Sequence, residues 1–235
     1  MNNMQINNTI SQLKGTTPSR CLPWPPHLFW LANYVKDNKS NKMVECGVAR
    51  GGTLALCHKV RPEMQIIGMD SWDVVRGATD PGGVTSVDDQ QKCNKWIGSR
   101  WGTMGEVYET YNMIQSSYEN LTLIKGYFND TMSKNMHLLN DIDILRLDCD
   151  YYDPITMCFE LLYDNVKKGG VIILDDWHFN PSGVQGALED FLEKRNINVI
   201  IHTHAPNKCC HNVSFSKKAK YRCNRGSGPA YFIKP

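Results

Sequence analysis

The chain has 235 residues, 41% hydrophobic and 21% charged, which is ordinary for a soluble globular protein and long enough for one α/β domain with a full core. Met1 to Arg20 is rich in Asn, Thr and Ser without a basic-then-apolar signal pattern, and no apolar run approaches bilayer length, so a cytoplasmic, non-membrane protein is expected. The nine cysteines are odd in number, and Cys46, Cys57, Cys149 and Cys158 fall in apolar surroundings, which reads as reduced thiols rather than a disulfide framework.

The net charge of +2 conceals an asymmetry. Past Glu193 there are nine basic residues, from Lys194 to Lys234, and no acid, so an acidic body carries a basic tail. The tail suits an anionic partner, but equally a solvated flank or a pairing with the acidic body.

In chain order, Met1 to Pro26 is polar and then proline-broken, an arm rather than a core element. Leu28, Phe29, Leu31, Ala32 and Val35 give one apolar helical face. Met43 to Cys46 reads as a first strand, followed by the turn Gly47-Val48-Ala49-Arg50-Gly51-Gly52 and a helix to about Lys59. Gln65 to Met69 is a second strand ending at Asp70. Strand, glycine turn, helix and strand make a βαβ unit with a parallel sheet. Residues 71–118 lose this regularity and read as a lid, with Trp96, Trp101, Tyr108 and Tyr111 as its aromatics. Strands resume at Leu121 to Lys125, Asp143 to Asp148 and Val171 to Leu174, separated by helices over about Asn129 to Asn140 and Ile155 to Val166. Another helix follows at Val184 to Lys194. Val199 to His202 and Ala230 to Ile233 are candidate last strands, an antiparallel pair joined by the cysteine-rich tail. The expected architecture is a doubly wound, mostly parallel α/β sheet in one domain: 1–42 arm and helix, 43–204 core, 205–235 basic tail.

Two strands end in acid. Ile142 to Leu147, with Arg146 as its one basic residue, ends in Asp148, and Val171 to Leu174 ends in Asp175-Asp176. The carboxyl ends of parallel strands line one rim, where ligands bind. Three crowded carboxylates need a counter-charge, and a hard divalent cation is the commonest. The alternative is that these aspartates cap the helices that follow. On the first strand, Glu45 offers a carboxylate to an ammonium group rather than to a pyrophosphate. Asp70, at the end of the second, is placed to accept hydrogen bonds from the two hydroxyls of a ribose. A ligand with an amino-acid end and an adenosine end satisfies both, and S-adenosylmethionine is such a ligand.

The stretches Val44 to Gly52, Lys125 to Thr131, Leu145 to Tyr152 and Gly169 to Trp177 resemble the macrocin O-methyltransferase (TylF-type) family over roughly Met43 to Asn196. The resemblance implies a class I methyltransferase fold and a magnesium-assisted transfer of a methyl group from S-adenosylmethionine to a sugar hydroxyl. It implies Asp148, Asp175 and Asp176 as metal ligands and Asp148 as the base; from the residues themselves, Asp150, two positions on, and then the imidazole of His178 rank behind it for that role. The cofactor-binding set it suggests is Glu45, Gly47, Ala49, Gly51, Thr53, Asp70, Ser71, Gly126, Tyr127, Phe128 and Asp148. Cys149 stands where the family usually has glycine, and Asp70-Ser71-Trp72-Asp73 follows the family's strand-two motif only loosely.

The expected acceptor is a small sugar-bearing molecule, a nucleotide-linked sugar included, with the basic tail as a flap over its diphosphate. The enzyme is expected to be a homodimer. A catechol-type methyltransferase fits the same residues. Nucleic-acid methylation and a non-catalytic binding module are disfavoured, by the aspartate triad and by the intact glycine turn respectively. His202, His204, Cys209, Cys210, His211 and Cys223 form an alternative zinc set, but their spacing does not match paired zinc ligands.

Overall fold

Four parallel strand pairings set the frame of the molecule. The computed structural model describes residues 1–14, 25–38, 40–49, 51–72, 112, 115–116, 118–149, 151–175, 177, 183–203, 213–214 and 229–235. The strands are β1 (Lys42–Cys46), β2 (Gln65–Asp70), β3 (Leu121–Lys125), β4 (Ile142–Leu147), β5 (Val166–Leu174), β6 (Ile200–Thr203), β7 (Val213–Ser214) and β8 (Ala230–Ile233). They lie in the order β3-β2-β1-β4-β5-β8-β6-β7. The first five are mutually parallel, and β8, β6 and β7 add antiparallel at one edge. The expected closing pair is present, with His202 opposite Tyr231 and Thr203 opposite Ala230.

Both sheet faces are covered, which is why the central strands read as nearly continuous apolar runs. Along β5, Val171 and Ile173 join a cluster with Leu31 and Val35 of helix α2 (Pro25–Asp37) and Leu54 and Cys57 of helix α3 (Gly52–Val60). Ile172 and Leu174 face the other way, into a cluster with Ile155 and Phe159 of one helix (Tyr152–Leu162) and Leu188 and Phe191 of another (Val184–Lys194). With the short helix α4 (Phe128–Thr131) preceding them, these two are α5 and α6. Each fully buried Ile, Leu or Phe removes apolar area worth about 1.5–3 kcal/mol from water.

Three sequence expectations need correction. Met1 to Pro26 is not merely an arm: Asn3–Lys14 forms helix α1, and Pro25 and Pro26 already belong to α2. Ile6 and Ile10, four residues apart in α1, are buried against Leu28, Ala32, Ala55 and Leu56. The start of α1 is fixed by reciprocal bonds, Asn2 N–H to Gln5 Oε1 (2.7 Å) and Gln5 N–H to Asn2 Oδ1 (2.9 Å). This capping box needs no apolar run to announce it. Second, the helix expected over Asn129 to Asn140 is only α4 and a short 3-10 turn, Ser133–Asn135. There Thr131 Oγ1 donates to Tyr127 O beside the Thr131 N–H, and Asn135 Nδ2 donates to Thr131 O, both at 2.7 Å, while Asn135 N–H turns to Met132 O, so a side chain meets the Thr131 carbonyl that a longer helix would give to the backbone of Asn135. Third, β5 begins at Val166 rather than Val171, with a register shift against β4 between Ile142 and Ile144. The extension passes through Gly169 at φ +79° and pairs with Lys234 near the C-terminus, Gly169 N–H to Lys234 O and Lys234 N–H to Gly170 O, both 2.9 Å. β7, within the tail, was not anticipated. Most of the expected lid, with its four aromatics, lies outside the described residues.

Candidate active site

Because β1 to β5 run parallel, their carboxyl ends form one rim, and the turn after β1 sits at its centre. Gly47 has φ +88°, and a Cβ there would come within 1.9 Å of Asp148 O, so only glycine lets this turn pass beneath the end of β4. Its N–H continues the ladder to Met69 O at 2.8 Å. Gly51, at φ +70°, starts α3.

Asp70 braces this turn. Its Oδ2 accepts from the N–H groups of Val48 and Ala49, both 2.8 Å, and its Oδ1 from Trp72 N–H at 2.9 Å. Trp72 Nε1–H closes the loop on Ala49 O at 2.9 Å. These bonds hold Ala49 at φ +51°, a left-handed conformation that costs a non-glycine residue about 1–2 kcal/mol. A carboxylate has roughly four acceptor positions, so the three used here leave Asp70 one, fewer than a bidentate grip on two ribose hydroxyls needs without rearrangement. Gly126, whose N–H donates to Asp70 O at 2.9 Å, brings Tyr127 and Phe128 alongside from the end of β3. Thr53 is buried in the first turn of α3, and Ser71 is half-buried beside Asp70.

The electrostatic centre is Arg146. Register places it directly opposite Glu45 on β1, and both lie on the α2 and α3 face by alternation from Met43 and Ile144. Arg146 is 1% exposed and Glu45 1%. The guanidinium Nη1 donates to Glu45 Oε1 and, at 2.8 Å, to Asp148 Oδ2, while Nη2 pairs with Asp175 Oδ2 at 3.2 Å. Asp148 and Asp175 keep 25% and 18% of their side chains exposed, so the cluster grades from a sealed base to an open rim. Burial pushes the Glu45 carboxyl up to about 7, against the lowering pull of Arg146. The three carboxylates drive the Arg146 guanidinium well above its ordinary range despite its burial. Three buried polar atoms of this cluster, Glu45 Oε2, Arg146 Nε and Arg146 Nη2, have no hydrogen-bond partner among the described residues, Nη2 keeping only its ion pair with Asp175.

Asp148 and Asp175, expected as neighbours, therefore meet, and the bridge between them within the chain is Arg146. In the sequence Arg146 stands out as the one basic residue of its strand, but nothing local pairs it. The signal available was a charge inside each of two adjacent, largely apolar strands, Glu45 and Arg146, since a buried charge needs a partner. Asp176, Asp150 and His178 lie outside the described residues, as do His204, Cys209, Cys210, His211 and Cys223. Among the described residues no group of three or more His, Cys, Asp and Glu is arranged to hold a metal ion, nor is any helix long and apolar enough to cross a membrane.

The chain resembles known proteins in sequence and shape. The model of the macrocin-O-methyltransferase (TylF) family matches residues 30–205. A demethyldecarbamoylnovobiocin O-methyltransferase from Streptomyces niveus is 23% identical over 169 residues, covering 69% of this chain and 62% of that protein. This chain thus spans less than two thirds of the curated relative it matches. The structure of the O-methyltransferase NovP superposes with a TM-score of 0.61 at 20% identity, covering 89% of this chain and 79% of that one. An O-methyltransferase from Bacillus cereus in complex with SAH does so at 0.52 and 13%, over 99% and 90%. At these identities the likeness establishes the class I methyltransferase, Rossmann-like fold.

Proposed function

Since this chain belongs to the macrocin-O-methyltransferase (TylF) family, we propose that it transfers a methyl group from S-adenosylmethionine to a hydroxyl of a sugar or sugar-bearing small molecule. The observation that carries this reading is the rim at Arg146, where Asp148 and Asp175 stand half-open beside the Gly47 turn. Glu45 Oε2, a buried acceptor with no partner among the described residues, is what the ammonium end of such a donor would use. The Gly47 and Gly51 turn lets backbone approach the ligand closely. Thr53, Ser71, Gly126, Tyr127 and Phe128 extend the proposed cofactor contact, with Asp70 shaping the turn and offering its remaining acceptor position to the ribose.

A sugar hydroxyl is a weak nucleophile until it sheds its proton. Asp148 is the proposed proton acceptor, because its carboxylate is the more exposed of the two on the rim and is held by a fixed guanidinium. Asp150 and His178 are the other candidates. The rest of the task is alignment of nucleophile, methyl carbon and sulfur, which the rigid strand ends favour.

The donor set also fits a hard cation. One guanidinium offsets one of the three carboxylates it touches, so net negative charge remains. Asp148 and Asp175, with Asp176, are the residues that would hold magnesium, whose chemistry is to lower the pKa of a bound hydroxyl.

The test is a mass-spectrometric screen of sugar, nucleotide-sugar and phenolic acceptors with S-adenosylmethionine, run with magnesium and with a chelator. Methylation of a sugar-bearing acceptor is expected, suppressed by the chelator. Asp148→Ala should lower turnover about 100-fold or more while binding of S-adenosylhomocysteine persists. Full activity in the chelator would remove the magnesium assignment, and exclusive methylation of phenols would replace the acceptor class. Transfer to none of these acceptors would overturn the reading.

A further inference from the structure

Behind the Arg146 cluster, on the opposite face of the sheet, a second set of reactive side chains plays no part in the proposed methyl transfer. Alternation turns Cys46 and Cys149 away from Glu45 and Asp148 and toward α5, where both pack in or against the same core cluster as Cys158. The Cys158 thiol lies on the buried face of α5, and both of these thiols stand close enough to raise its pKa. Cys46 and Cys158 are buried, whereas Cys149 is only partly so. Solvent-borne reagents therefore meet Cys149 before they meet the other two.

We propose that Cys149 and Cys158 form a site of reversible covalent modification, which closes to a disulfide when a low-molecular-weight disulfide such as oxidised glutathione reaches Cys149. Cys149 first attacks the reagent, breaking its S–S bond, releasing one glutathione thiol and forming a mixed disulfide. Cys158 then displaces the second glutathione as a thiol. The two cysteines lose two electrons and two protons in all, and the reagent gains them. Cys46 is the poorer resolving partner because its backbone is laddered between β2 and β4. Burial and the neighbouring thiols hold Cys158 well above the ordinary thiol range, so this second step is slow.

Closure bears on the rim. A disulfide requires Cα atoms about 4.4–6.8 Å apart and a narrow dihedral range, so its formation ties the backbone of Cys149 to α5. Asp148, the preceding residue, has its N–H on Cys46 O at 2.8 Å and its carboxylate on Arg146 at 2.8 Å. Misplacement of a reacting group by about 1 Å can cost about 100-fold in rate.

The test incubates the full chain with oxidised glutathione, alkylates the remaining thiols and maps the peptides by mass spectrometry. A Cys149–Cys158 cross-linked peptide is expected, absent after dithiothreitol. Cys158→Ser should instead retain glutathione on Cys149, and Cys149→Ser should form no link. Free Cys149 and Cys158 throughout, a glutathione adduct on wild-type Cys149 that does not give way to the link on prolonged incubation, or a link from Cys149 to any other cysteine would each overturn the proposal. Turnover of the linked protein should fall about tenfold or more and recover on reduction. Unchanged turnover would overturn the coupling to Asp148. If the reduced protein methylates no acceptor, the functional reading fails, and the peptide map still decides the disulfide.

Discussion

Glu45→Gln isolates a carboxyl that folding carries far from its ordinary range. In the folded chain Glu45 is sealed against Arg146 and titrates at about 7, against an ordinary 4.5. Between those values the folded state keeps a proton that the unfolded chain has released. Stability from this group is therefore complete below 4.5 and is lost as pH rises through about 7. At about 1.4 kcal/mol per pH unit, that interval integrates to roughly 3 kcal/mol. Glutamine has nearly the same shape, keeps an acceptor for Arg146 and does not titrate. Urea unfolding of both proteins across about pH 4 to 8, at constant salt and with equal slopes against denaturant, gives the difference directly. Contributions of groups that do not interact with Glu45 cancel in it. The stability of wild type relative to the glutamine variant should decline by roughly 3 kcal/mol across the window and level off above it. A flat difference, or one that rises with pH, would mean that Arg146 rather than burial dominates Glu45, and the account of the cluster would fall.

Two further substitutions probe the fold beneath the site. Gly47→Ala places a Cβ against Asp148 O at a left-handed φ, so a loss of about 3 kcal/mol or more is expected in urea unfolding, together with loss of S-adenosylhomocysteine binding by calorimetry. A folded variant with unchanged affinity would contradict the close approach of the β1 turn to β4. Ile6→Ala empties a fully buried position between α1 and the α2–α3 layer and should cost about 2–5 kcal/mol by the same unfolding measurement. A change under about 0.5 kcal/mol would return α1 to the status of a loose arm.

Local pattern was enough for the strands and for the rim. Apolar runs ending in Asp70, Asp148 and Asp175 were legible because a strand buried on both faces must be almost wholly apolar. The acids had to stand where the chain emerges from the sheet. The Gly47 turn was legible because backbone at a crowded βα junction favours glycine. Helix α1 was missed because its two core residues, Ile6 and Ile10, are scattered among polar ones, and its burial exists only once α2 and α3 lie beneath it. Asp70 was assigned to a ligand when most of its acceptor capacity serves the turn, a fact that depends on which N–H groups the turn aims at it.

Arg146 shows most plainly what one dimension withholds. The sequence by itself determined that a charge sits in the middle of β4 and another in β1, and that acids close the neighbouring strands. Only the tertiary structure decided that these charges are one cluster, since Glu45 and Arg146 are 101 residues apart and meet through parallel register. Period-two alternation fixed the face each side chain takes, but strand order chose its neighbour. Burial then converted that adjacency into a displaced carboxyl and a fixed guanidinium.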